Sequence, residues 1–231
     1  MIKAERKALQ NGIIVYDAAQ ADKIHEHVFT PSYWTAREAL GEPLGGRGAA
    51  WRIQDGDIDW VLRQYRRGGL VGRVVLDWYF YAGLERTRPF HEWYITARLH
   101  DEGLPVPRPV AARVDRGLIG YRGALITATV PGTSFASMLE SAGEATWRAI
   151  GRTVRRLHDA GAWHADLNAH NILVEGDSVT VIDWDRGQVR PQDTAWREAN
   201  LKRLRRSLDK LRPEDPAMDA GWRALRDAYN G

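Results

Sequence analysis

The sequence predicts an α+β chain of two lobes, β-rich over residues 1–130 and α-helical over residues 131–231. Three observations predict it. Short apolar runs, several alternating with period two, are punctuated by glycine and proline up to Pro131-Gly132; past that break the apolar residues recur at helical spacing; and a polar loop, His164-Ala-Asp-Leu-Asn-Ala-His-Asn-Ile-Leu-Val174, leads into a hairpin that ends in carboxylates.

Taken in order, residues 12–16 read as a short strand, 18–27 as a helix, and 30–40 as a further helical element opened by Thr30-Pro31. Gly41-Glu-Pro-Leu-Gly-Gly-Arg-Gly48 is a glycine-rich turn into a strand through Ile53. Backbone without Cβ atoms approaches phosphates closely, which makes Gly46 and Gly48 candidates for covering them. Residues 58–65 form the next strand, with Val61, Arg63 and Tyr65 on one face. Arg66-Arg67-Gly68-Gly69 and Arg73 make a basic turn beside the aromatic-rich 74–82, suited to an anionic headgroup or a sugar acid. Residues 87–102 read as a helix with a Thr87 cap and Pro89 in its first turn. Gly103-Leu-Pro-Val-Pro-Arg-Pro109 ends it, and strands over 110–115 and 119–130 complete the first lobe.

In the second lobe, 135–141 is a short helix, and 144–160 places Trp147, Ile150, Val154 and Leu157 on one stripe closed by Gly161. Helices over 194–211 and 216–229 end the chain; the first carries the stripe Leu201, Leu204, Leu208 and Leu211 inside a strongly basic surround. Those leucines are expected in the core, with the basic face turned toward anionic lipid or solvent.

Composition narrows the classes. Hydrophobic residues at 44% and charged residues at 27% describe a globular chain rather than a disordered one. With no cysteine, neither a disulfide scaffold nor a thiol site is available. No stretch reaches the ~20 apolar residues of a membrane span, and the start lacks the apolar region of a signal peptide, so a cytosolic location is expected. The net charge of +3 is carried mainly by arginine. No nucleic-acid partner is expected, because the arginines are spread over both lobes without a recognition module.

The loop carries the chemistry. Asp166 is an acceptor able to take a hydroxyl proton, while the Asn171 amide oxygen and the Asp183 carboxylate suit Mg²⁺, a hard cation that shares its oxygen ligands with substrate phosphates. The order and spacing, H-x-D-x-x-x-x-N and then a metal-binding Asp on the next hairpin, resemble the catalytic loop of protein kinases. Asp183-Trp184-Asp185 stands where protein kinases carry Asp-Phe-Gly. The resemblance implies a protein-kinase-like bilobal fold that uses ATP and Mg²⁺. It makes Arg63 the counterpart of the strand lysine that holds the ATP phosphates, since the five lysines stand at 3, 7, 23, 202 and 210, outside that strand. Glu92 is the helix glutamate that would pair with Arg63. His164 braces the metal-binding segment; His170 either touches substrate or caps the loop; Asp185 either assists the metal or bonds the loop.

Longer stretches resemble one family more closely. Val61-Leu-Arg-Gln-Tyr-Arg-Arg-Gly-Gly-Leu70, Gly103-Leu-Pro-Val-Pro-Arg-Pro109 and the loop itself are similar to the 3-deoxy-D-manno-octulosonic acid (Kdo) kinases of Gram-negative bacteria, over roughly residues 40 to 210. That resemblance implies phosphorylation of the 4-hydroxyl of the Kdo residue of a Kdo-lipid A precursor, by a peripheral protein at the cytoplasmic face of the inner membrane. Arg66, Arg67 and Arg73 would meet the anionic glycolipid. Two alternatives stay open: another small-molecule kinase of heptose or aminoglycoside type, and a non-catalytic scaffold, suggested by the missing strand lysine.

Overall fold

In the computed structural model, which describes residues 1–44, 50–65, 79–80, 83–117 and 120–231, the side chains of 79 and 80 excepted, the first strand is one that the sequence pattern hides. β1 (Ala4–Ala8) is polar and mostly exposed, and it exists because β2 (Gly12–Asp17) supplies five paired residues antiparallel to it. The predicted helix over 18–27 is replaced by two 3₁₀ turns, Ala18–Lys23 and Glu26–Phe29, with His25 extended between them. Ile24, Val28 and Phe29 all reach one core. The second predicted helix is also shorter: α1 (Pro31–Thr35) is followed by Glu38 in the left-handed region at φ 56°, and the chain returns as β3 (Leu40–Pro43).

β4 (Ala50–Asp55), β5 (Ile58–Gln64), α2 (Arg88–Asp101), β7 (Pro109–Arg116) and β8 (Gly120–Ala128) follow close to expectation, while the two-residue β6 (Tyr79–Phe80) adds a strand within the aromatic-rich segment that was not expected. The Thr87 hydroxyl, expected to cap α2, donates instead to the Leu84 carbonyl (2.6 Å). Among the described residues the strands form an eight-stranded sheet in the order β1-β2-β7-β8-β5-β4-β3, with β6 on β8. Trp34, Ile53, Leu62 and Ile126 fill one core of this unit; Phe90 and Trp93 of α2 fill the other, with Val15, Val114 and Leu125.

The chain divides into two compact units, Met1–Asp101 with Arg108–Thr129, and Glu102–Pro107 with Val130–Gly231. In the second, β9 (Thr133–Ser134) leads into α3 (Phe135–Met138), shorter than expected, and then α4 (Glu144–Asp159). β10 (Ala162–Trp163), β11 (Ile172–Glu175), β12 (Ser178–Val181) and β13 (Gln188–Val189) frame the loop. α5 (Thr194–Leu211) and α6 (Pro216–Asn230) close the unit. Trp147, Ile150, Val154 and Leu157 are all buried, as the stripe on α4 requires. α4 and α6 cross closely enough that a Cβ at Gly151 would lie 2.2 Å from the Leu225 carbonyl oxygen. On α5, Leu201, Leu204 and Leu208 are fully buried, but Leu211 is 36% exposed, so the predicted stripe ends one turn early.

Candidate active site

In the sheet unit, β5 and α2 bring Arg63 and Glu92 together. The Arg63 guanidinium forms an ion pair with the Glu92 carboxylate. Tyr65, two residues along the same face of the strand, joins them: its hydroxyl accepts from Arg63 (2.9 Å) and donates to the same Glu92 oxygen. Burial raises the Tyr65 phenol well above its usual value, so it stays protonated and serves as that donor. The Tyr65 ring also lies 4.9 Å from the Arg63 guanidinium, a cation–π contact that narrows the arginine's orientation. Gly46, Gly48, Arg66, Arg67 and Arg73 lie outside the described residues.

In the helical unit, the segment after β10 is held by neutral groups. His164 is buried, and its backbone is clamped on both sides by the Asn200 side chain, which accepts from the His164 N–H (3.2 Å) and donates to its carbonyl (2.9 Å). Nδ1 of His164 accepts from the Asp166 N–H (3.1 Å), so Nε2 carries the proton and donates to the Ile182 carbonyl (3.0 Å). Burial lowers the His164 pKa and keeps the ring neutral, as that pattern demands. The ring packs edge-on against buried Trp184, with centroids 4.7 Å apart, and the indole N–H donates to the Val181 carbonyl (2.9 Å).

Asp183 sits between these two anchors. Its neighbour Ile182 donates to the Asn171 carbonyl (2.9 Å), and Asp183 itself has φ 67°, a left-handed backbone unusual for a residue with a side chain. Such conformations persist where the surroundings over-determine them, as the bonds to Ile182 and the burial of Trp184 do here. Asp185 follows, half-buried, in the turn toward β13.

The other side of the loop is polar, with Asp166 and His170 exposed and Asn168 and Asn171 half-buried. Asn171 donates through Nδ2 to the Asp166 carbonyl (3.0 Å), which leaves its amide oxygen without a donor among the described residues. The Asp166 carboxylate receives Arg203 of α5 on Oδ1 (3.0 Å) and the Asn168 amide on Oδ2 (3.1 Å). Asn168 caps the short turn after it by accepting from the His170 and Asn171 N–H groups. The His170 side chain is exposed and makes no hydrogen bond among the described residues.

Sequence reasoning assigned no role to Asn168, Tyr65, Asn200 or Arg203. Asn168 had a signal, because an Asn two residues before a turn commonly bonds that turn's backbone. Tyr65 shared the predicted face of Arg63. Asn200 and Arg203 stand 36 and 37 residues from their partners, with nothing local to mark them.

A sheet unit with an arginine–glutamate pair largely withdrawn from water, and a helical unit with a carboxylate and an amide on one anchored loop, are consistent with a protein-kinase-like fold. The solved aminoglycoside-3'-phosphotransferase of type VIII is similar in fold, with a TM-score of 0.56 over 90% of this chain and 94% of that one, at 16% identity. The model of the lipopolysaccharide kinase (Kdo/WaaP) family matches residues 32–229, and the chain belongs to that family. A 3-deoxy-D-manno-octulosonic acid kinase of Stenotrophomonas maltophilia (strain K279a) is 43% identical over 95% of this chain and 90% of its own length. One of Xanthomonas euvesicatoria pv. vesicatoria is 45% identical over 94% and 89%. The chain is accordingly a kinase, which implies ATP as phosphoryl donor.

Proposed function

We propose that this protein transfers the γ-phosphoryl group of ATP to the 4-hydroxyl of the Kdo residue of a lipid A precursor. The observation that carries the reading is the loop itself: an exposed carboxylate beside an amide oxygen with no protein donor among the described residues, in a chain similar over nearly its whole length to proteins named for that sugar. Asp166 orients the acceptor hydroxyl and takes its proton as the sugar oxygen bonds to the γ-phosphorus. The bond from that phosphorus to the bridging oxygen breaks, and ADP leaves with the electron pair.

Asn171 and Asp183 would hold Mg²⁺. An amide oxygen and a carboxylate suit a hard cation that keeps waters and phosphate oxygens among its other ligands. Bound there, the ion would neutralise phosphate charge. Arg63, fixed by Glu92 and Tyr65, would position the phosphates, and Gly46 and Gly48 of the first lobe, residues 1–130, would cover them. The second lobe, 131–231, carries the chemistry, with His164 bracing the segment before Asp183 and Asp185 supporting it. Arg66, Arg67 and Arg73 would meet the anionic glycolipid, with His170 at the loop's exposed edge.

Among the described residues no helix is long and apolar enough to cross a membrane. Lys202, Arg206 and Lys210 are exposed along one face of α5, and none has an ion-pair partner among the described residues. These cations support peripheral contact with an anionic bilayer at the cytoplasmic face of the inner membrane.

Incubation with MgATP and matched lipid A precursors, with and without Kdo, tests the reading by mass spectrometry. A gain of one phosphoryl group confined to the Kdo-bearing lipid is expected. Transfer to heptose or an aminoglycoside instead would redirect the acceptor assignment, and failure to bind nucleotide would favour a scaffold.

A further inference from the structure

We infer that Arg203 is the acceptor-recognition residue, its guanidinium holding the carboxylate of the acceptor sugar while Asp166 holds the hydroxyl that is phosphorylated. The inference rests on the acceptor proposed above and assigns it a contact.

The starting point is a charge problem. A sugar acid brought to Asp166 places a carboxylate near a carboxylate, with an anionic phosphoryl group arriving as well. Residues 164–174 contain no lysine or arginine, and His164 is held neutral with both ring nitrogens engaged. The cation on Asp166 comes from α5: Arg203, through one guanidinium nitrogen at 3.0 Å from Oδ1. Among the described residues that is the guanidinium's single hydrogen bond, so the rest of its fork is free to take a second carboxylate in paired fashion. In Kdo the carboxylate is borne by C2 and the acceptor hydroxyl by C4, one ring carbon apart. An arginine touching the base is therefore placed to reach the carboxylate of a sugar whose 4-hydroxyl the base holds.

The helix positions Arg203 firmly. One turn before it Asn200 clamps the His164 backbone, and one turn after it the Ser207 hydroxyl accepts from the Ala169 N–H (3.1 Å). Leu201 and Leu204 are fully buried beside it. The ion pair itself is exposed, 45% on the arginine and 63% on the aspartate, so it adds little to stability and lies open to an incoming ligand.

The test compares two acceptors, the natural acid and the same lipid with its Kdo carboxyl converted to a primary amide, in the wild-type protein, Arg203→Gln and Arg203→Lys. Removing a charge-assisted hydrogen-bonded contact should raise the acceptor KM of Arg203→Gln for the acid by about 10- to 100-fold. The ATP KM and the melting temperature should stay near wild type, and Arg203→Lys should recover part of the loss. With the amide, wild type and Arg203→Gln should perform alike. An Arg203→Gln variant that loses equally on acid and amide would overturn the inference, placing the arginine on the phosphoryl group or on Asp166 alone; one unchanged on both would reduce it to a surface ion pair. A wild-type protein inactive on the acid would overturn the acceptor reading, and this inference with it.

Discussion

The two units hold their charges in opposite ways. In the sheet unit the Arg63–Glu92 pair is largely withdrawn from water, 24% and 5% exposed, and is completed by a buried phenol. In the helical unit the Asp166–Arg203 pair is open, 45% exposed on the arginine and 63% on the aspartate, while the groups beneath it are neutral and buried. A charge that must stay at one place is locked by burial and a partner. The carboxylate proposed to exchange its partner for a hydroxyl is left in water, and its backbone is what the protein fixes. Precision at Asp166 thus comes from His164, Asn168 and Asn200, not from the ion pair.

That contrast can be broken at either end. The largest effect is expected at the open carboxylate: Asp166→Ala should lower kcat by about 10²- to 10⁴-fold, with a melting temperature close to wild type, since an exposed pair contributes little. At the buried pair the order reverses. Glu92→Gln removes the charged partner from the Arg63–Glu92 ion pair and should cost roughly 3 kcal/mol in urea unfolding, together with a raised KM for ATP.

Acid should damage the helical unit through His158. It is fully buried, bonded to the Tyr229 hydroxyl (2.8 Å), and burial lowers its pKa from 6.5 to about 4. Above pH 6.5 the ring is neutral in both the native and the unfolded chain, and its contribution is fully present. As pH falls from 6.5 to about 4 the unfolded chain takes up a proton that the native state refuses, and stability declines. The loss should approach roughly 3 kcal/mol below that range, and His158→Phe should flatten the decline in a series of chemical unfolding curves.

The smallest effect sharpens the claim about neutral anchors. Asn200→Ala leaves the buried His164 N–H and carbonyl without partners, which should cost about 2 kcal/mol. It should also lower kcat more than it raises the ATP KM, because the proposed base is displaced while the proposed nucleotide contacts of the sheet unit remain.

The loop and the hairpin after it were legible because the polar residues His164, Asp166 and Asn171 sit in one run and lead into short apolar strands on either side of a Gly-Asp turn. The stripe on α4 was legible for a similar reason, as its four buried residues fall at one helical period. Residues 18–40 read as longer helices than they form: the chain turns through two 3₁₀ segments and a five-residue helix, and Ile24, Val28, Phe29 and Trp34 share one core. β1 was missed because an exposed edge strand carries no apolar alternation, and only its pairing with β2 creates it. Arg203 was visible merely as one of several cations on a basic helix; its contact with Asp166 depends on how α5 lies against the loop, which no local pattern encodes.

The most direct test of the proposed division between a nucleotide-holding pair and a proton-accepting carboxylate is to measure MgATP affinity and phosphoryl transfer on the same Asp166→Ala sample. Wild-type affinity for MgATP with transfer lost is the predicted result. Transfer to the Kdo-bearing lipid at the wild-type rate would contradict it and remove Asp166 from the chemistry.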